Sequence, residues 1–176
     1  MNWLDSLEID KESGKEALQL IISECKNLRA SISKITKKIR ELSQTEIYQE
    51  KVSLLKSVPG VGIITAMTIL TEFETIDRFD NLDKMCGYIG LVPSTKFSGE
   101  KERSGDISPR GHGVLRNAII ESSWIAIRKD QSLLKSYLTY CKRMDSNKAI
   151  IKIAKKLLNR IRFVLRNKKA YECLIV

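Results

Sequence analysis

The chain has 176 residues, 43% hydrophobic and 30% charged, a composition that excludes a disordered chain and suffices for one domain with a core plus an extension. No apolar run approaches the ~18 residues that span a bilayer, and the acidic start MNWLDSLEIDKESG lacks the basic and apolar regions of a secretion signal, so a cytoplasmic protein is expected. Net charge is +10, and residues 110–176 carry sixteen basic against four acidic side chains, while 1–52 balance at nine each and 53–109 hold six against eight; an excess confined to the last third favours a polyanion, most often nucleic acid.

Residues 15–45 follow one pattern. Leu18, Ile21, Cys25, Leu28, Ile32, Ile35, Ile39 and Leu42 recur at spacings of three and four, an a/d heptad repeat. Gly14 marks an expected break before it. So narrow an apolar stripe suits a coiled-coil seam better than a globular helix face. A homodimer or higher oligomer through the 18–42 seam is expected.

Next comes SVPGVGIITAMTIL. Val52, Leu54, Leu55 and Val58 suggest a short helix, and Pro59 ends it. Gly60 and Gly62 permit a tight hairpin with positive φ. Ile63 to Phe73 then restart as a helix, with Ala66 allowing close packing. Helix, Pro-Gly-Val-Gly turn, helix resembles a helix-hairpin-helix. A helix that begins at glycines leaves unpaired N–H groups at its positive dipole end, open to a phosphate. Gly60, Val61 and Gly62 are therefore candidate DNA-binding positions through their backbone. The bland alternative is an ordinary turn between two helices.

A helix follows in DRFDNLDKMCGYIGLVP, capped by Asp80 or Asp77 and closed by Gly90 and Pro93. Residues 94–112 are rich in Ser, Gly and charge. They read as a loop, or a short ribbon around Thr95–Phe97 and Asp106–Ser108. Three helices complete the chain: Val114–Ile127, Gln131–Arg143 and Asp145–Leu165. The last is basic and amphipathic. Ile150, Ile153, Ala154, Leu157, Leu158, Ile161, Val164 and Leu165 form its apolar face; Lys148, Lys152, Lys155, Lys156, Arg162 and Arg166 lie opposite. Cations so closely spaced favour phosphates as partners.

The chemistry is sparse. Cys25, Cys86, Cys141 and Cys173 are scattered, and His112 is the single histidine, so no metal-ligand spacing exists. No metal or other cofactor is expected in this chain. The loop offers Ser94, Ser98, Ser104 and Ser108 beside Lys96, Lys101, Arg103, Arg110 and Arg116. A hydroxyl among cations can attack a phosphodiester, although serines and glycines are also ordinary turn residues.

Taken in order, VPGVGIITAMTILTEF, RFDNLDKMCGYIGLVP, FSGEKERSGDISPRGHGVLRNAIIESSW and AKKLLNRIRFVLRNKKAYE resemble the C-terminal domain of the insertion-sequence transposases numbered one-hundred-and-ten. The match covers about Leu54 to Glu172. The resemblance implies a nucleophilic serine in a Ser-Gly that follows Gly-Leu-x-Pro. Gly90–Pro93 is that motif here, which selects Ser98, with Ser104 as second choice. Ser108, Gly111 and Arg116 match a later stretch of the family pattern, in which Pro109 replaces a lysine. The family places a RuvC-like nuclease domain first, with four acidic residues that bind Mg²⁺. This chain opens just before the heptads, so Mg²⁺ and its carboxylates are expected from a separate domain, and the chain alone is not expected to complete recombination. The resemblance also implies a structured guide RNA.

The expectation is an all-α protein: a coiled-coil helix over 1–52, then a compact helical domain over 53–176 with a helix-hairpin-helix and one long Ser/Gly loop. Its expected role is DNA binding and serine-based strand transfer in a transposase. The alternative is a non-catalytic helix-hairpin-helix module that only binds nucleic acid.

Overall fold

A computed structural model describes residues 2–5, 7, 9, 11–98, 101–107 and 111–173. Its elements in chain order are α1 (Asn2–Asp5), α2 (Glu12–Ser43), α3 (Glu46–Ser57), α4 (Ile63–Phe73), a 3-10 turn (Ile76–Arg78), α5 (Leu82–Ile89), β1 (Pro93–Ser98), β2 (Lys101–Ile107), α6 (Gly113–Lys129), α7 (Gln131–Cys141) and α8 (Ser146–Asn167). The all-α class holds, with the single β1–β2 ribbon as its exception among the described residues. No helix among those residues is long and apolar enough to cross a membrane. The chain forms two compact units, Met1–Leu42 and Ser43–Val176.

In the first unit α2 runs straight through Gly14, where a break was expected. One glycine in a 32-residue helix costs only ~1 kcal/mol, too little to stop it. Much of the heptad stripe is open: Ile21, Leu28, Ile32 and Ile35 are all more than half exposed, while Leu18 and Ile39 are half-buried.

The second unit is organised around α8, which packs against α3, α5, α6, α7 and the 3-10 turn. Ala149, Ile150, Ile153, Ala154, Leu157, Leu158, Ile161 and Val164 are all buried. They recur at one and three residues, so the buried surface covers about half of the helix. Two local expectations change. Helix α3 starts at Glu46, well before Val52. Helix α5 is capped by Asn81, whose Oδ1 accepts from Lys84 N at 2.9 Å, and not by Asp80 or Asp77.

A polar latch closes the unit. Asp130 is buried at the start of α7. Its Oδ1 accepts from Leu133 N at 3.0 Å, and its Oδ2 accepts from the Tyr171 hydroxyl at 2.7 Å and from Arg160. Arg160 also lies over the Tyr171 ring, 4.9 Å from its centroid. The Tyr171 N–H donates to Ser57 Oγ at 2.7 Å. One carboxylate thus joins α7, α8 and the tail, and the tail in turn holds the end of α3.

Burial would push the Asp130 carboxyl up, but the Tyr171 hydroxyl, the Leu133 N–H and Arg160 outweigh it and hold the group below its ordinary range. Burial, then the bond to Asp130, pushes the Tyr171 phenol up to about 12. The two groups set opposite limits. The Asp130 contribution is present above the ordinary carboxylate pKa of about 4 and is lost as pH falls through its lowered value. The Tyr171 contribution is present below about 10 and is lost as pH rises toward about 12. Thermal unfolding followed by circular dichroism should show both limbs. Tyr171→Phe should lower stability by about 1–2 kcal/mol at neutral pH and flatten the alkaline limb. Asp130→Ala should cost about 3–5 kcal/mol, because it strands a largely buried guanidinium.

Candidate nucleic-acid interface

The turn between α3 and α4 is built by four residues. Val61 N donates to Val58 O at 3.1 Å. Pro59 and Gly60 lie between them, and Gly60 has φ +86°. A proline followed by a positive-φ glycine inside such a bond is the signature of a type II turn. Only Gly60 needs that conformation; Gly62, also expected to have positive φ, is extended at φ −95°, ψ 177°. Gly60 is constrained twice, since a Cβ there would stand 2.1 Å from the Ser122 carbonyl oxygen of α6. The turn is therefore pressed against the α6 backbone. At Gly62 a Cβ would meet nothing within 4 Å.

Gly62 is the N-cap of α4, and no side chain caps that end. The first N–H groups of α4 have no partner within the helix, by helix geometry. The Val61 N–H is used by the turn, and its side chain is buried. Val61 is thus an anchor, and donors for a ligand come from Gly62 onward. A groove of about 580 Å³ runs past Pro59, Gly62 and Thr65, with Lys56, Lys129 and Glu121 on its walls. Sequence reading missed both lysines. Lys56 lies only three residues before Pro59, but Lys129 comes from the far end of α6, and nothing in the sequence brings it to this turn.

The Ser/Gly segment is an antiparallel ribbon longer than expected. β2 begins at Lys101, five residues before the expected second strand. Its ladder pairs Thr95 with Ser104, Lys96 with Arg103, Phe97 with Glu102 and Ser98 with Lys101. Ser108 and Arg110 lie outside the described residues.

The two ends of the ribbon meet at its base. Gly90 ends α5 in the left-handed region at φ 83°. Gly111, at φ +108°, is so close that a Cβ on it would stand 2.6 Å from Gly90 N. His112 N donates to Tyr88 O at 3.1 Å. His112 is a capping residue, not a free base: its Nδ1 accepts from Leu115 N at 3.1 Å, which starts α6. Its Nε2 lies 2.9 Å from Glu72 Oε2, and its ring stacks on Tyr88. Arg116 sits on the first turn of α6, half-buried.

The cations of α8 divide. Lys148, Lys152 and Lys156 are exposed, and Lys155 is half-buried. Lys156 bonds Ser136 Oγ at 2.9 Å and lies over the Tyr140 ring. Arg162 is turned inward, and its Nη2 donates to Asp80 O at 2.9 Å. It is part of the packing, not of an open basic face.

The family model of the Transposase IS116/IS110/IS902 family matches residues 52–139, half of the chain and the segment from α3 to α7. The chain belongs to this family. It is 27% identical over 163 residues to a transposase for insertion sequence element IS1111A of Coxiella burnetii, covering 90% of this chain and 44% of that protein. It is 28% identical over 121 residues to an uncharacterized 43.6 kDa protein of insertion element IS110 from Streptomyces coelicolor, covering 68% and 30%. A transposase for IS1533 of Leptospira borgpetersenii is 30% identical over 79 residues, covering 45% and 23%. The chain spans less than half the length of these curated relatives.

The two turn glycines should separate in experiment. Gly60→Ala combines a positive φ with a clash against backbone and should cost more than about 2 kcal/mol in chemical denaturation. Gly62→Ala should cost under about 1 kcal/mol, since its conformation suits any residue and the space is open. Equal losses at the two sites would show that the turn is not held by α6.

Proposed function

We propose that this chain is the nucleic-acid-binding, serine-bearing part of an insertion-sequence transposase. Ser98 is the nucleophile. Its hydroxyl proton leaves as the bond from Oγ to a DNA phosphorus forms; the bond from phosphorus to the displaced strand breaks, and the departing oxygen takes up a proton. The cations favour both the alkoxide and the charge that develops on the phosphate. One observation carries the choice of Ser98 over Ser104: Ser98 begins the Ser-Gly that follows Gly90–Pro93, and the ladder pairs it with Lys101.

The α3–α4 turn, read as a helix-hairpin-helix, supplies a neutral phosphate contact through the first N–H groups of α4, with Lys56 and Lys129 beside it. Lys148, Lys152, Lys155 and Lys156 supply the electrostatic term, for DNA or for a guide RNA. Among the described residues no group of three or more His, Cys, Asp or Glu is placed to hold a metal ion. As the family resemblance implies, Mg²⁺ is assigned to a separate nuclease domain, and no step of this chain runs through it. The heptad stripe of α2 is proposed to pair with a second copy.

In a full-length transposase carrying this segment, Ser98→Ala should abolish strand joining by at least a hundredfold, and Ser104→Ala should leave it within a few-fold. The reverse order would move the nucleophile to Ser104; joining that survives both substitutions would leave the chain a binding module. Self-association has its own measurement. Ile32→Asp with Ile35→Asp should convert a dimer to a monomer in sedimentation equilibrium, with the second unit still folded. A wild type that is monomeric at tens of micromolar would defeat the seam as an interface.

A further inference from the structure

The outward side of α8 is not uniformly basic. Lys148, Lys152, Lys156, Asn159, Phe163 and Arg166 recur at spacings of four, four, three, four and three, and all six are exposed. At 1.5 Å per residue the stripe extends ~27 Å along the helix. Its one apolar member is Phe163, 55% exposed. Among the residues of the second unit whose burial is described, no other aromatic side chain is exposed. The protein therefore presents a bare aromatic ring between Asn159 and Arg166, toward the C-terminal end of a row of cations and an amide.

The surroundings suit a flat ligand. A groove runs beside Phe163, formed by Asn159 and Arg160 on α8 and by Lys169 and Tyr171 on the tail, with Glu172 as the single carboxylate among the described residues on its wall. The latch fixes the tail there, since Tyr171 is bonded to Asp130 and Ser57. The groove is thus walled on both sides by tethered elements. An aromatic face with cations on either side matches the chemistry of a single-stranded nucleic acid, whose bases stack and whose phosphates need neutralising. Duplex DNA hides its base faces and would use only the lysines. A protein partner would need an acidic surface carrying a matched apolar knob; the row of lysines and Arg166 on this face gives a polyanion the stronger claim.

We propose that the outward face of α8 and the adjoining tail form a stacking site for an unpaired base of a single-stranded nucleic acid, with Phe163 as the platform. The inference rests on the nucleic-acid reading above and adds to it a strand state and a residue. Asn159, one turn away, is placed to bond a base edge, and Lys152, Lys156 and Arg166 to meet the flanking phosphates.

The test measures anisotropy of labelled single-stranded DNA and RNA twelve-mers, and of a DNA duplex of the same length, across a salt series with the full chain. Phe163→Ala should weaken single-strand binding about 5- to 150-fold, the range that a lost base–aromatic stack gives. Duplex affinity should stay within twofold. The slope of log affinity against log salt should not change, because the ring meets no phosphate. Phe163→Trp should restore binding and Phe163→Leu should not, which separates stacking from simple apolar contact. Lys148→Gln, Lys152→Gln and Lys156→Gln together should reduce the slope for every nucleic acid. If that triple variant loses slope and Phe163→Ala binds single strands as wild type does, the nucleic-acid reading stands and the stacking site is overturned. If wild type binds neither strand form, both fall. A loss of self-association in Phe163→Ala with unchanged oligonucleotide affinity would assign the ring to a protein contact and overturn the proposal. Which twelve-mer depends more on Phe163 tells whether the unpaired strand is DNA or RNA.

Discussion

The second unit depends on the burial of one helix. α8 meets five other elements and buries eight of its residues. At ~25 cal/mol per Å² of apolar surface removed from water, that face is a major stabilising contribution to the unit. It also fixes what the helix can show outside. With eight positions buried and Arg162 bonded to Asp80, the cations left for a ligand are those on one narrow stripe. The core and the basic face are two sides of a single sequence pattern, so a change of register in α8 would spoil both.

The turn and the ribbon share a second constraint, close backbone approach. Gly60 abuts Ser122 and Gly111 abuts Gly90, in each case nearer than a Cβ would allow. These contacts give the helical frame fixed distances that side-chain packing alone would leave softer. They also explain why the candidate groups stand on loops: α6 carries one contact in its middle and begins beside the other, so turn and ribbon are both referred to the same helix.

Much of this was legible from periodicity. The limits of α4 and nearly all of the buried face of α8 followed from spacing. The heptads of α2 were equally plain, and they fall on one continuous helix over Glu12–Ser43. What failed was whatever depends on distant partners. Gly60 and Gly62 look alike in sequence, and only the position of Ser122 tells them apart. Asp130 reads as one acidic residue in a basic third of the chain; its partners lie thirty and forty-one residues on. Arg162 belongs by spacing to the basic face, yet a carbonyl eighty-two residues away takes it. The ribbon was half-seen, because its second strand, KERSGDI, carries no alternation of apolar and polar residues. Ser98 was chosen by motif; that the ladder pairs it with Lys101 is a matter of register, which sequence does not print.

The meeting of Gly90 and Gly111 makes the segment between them a cassette. Its two ends are already joined on the helical body, so whatever lies between is closed as a loop, whatever its length. Doubling such a loop costs only ~0.6 kcal/mol in closure entropy. Insertions, deletions or a transplanted ribbon can therefore be exchanged at this point while the helices beneath keep their places, which makes the arm the natural part of this scaffold to vary, by evolution or by design.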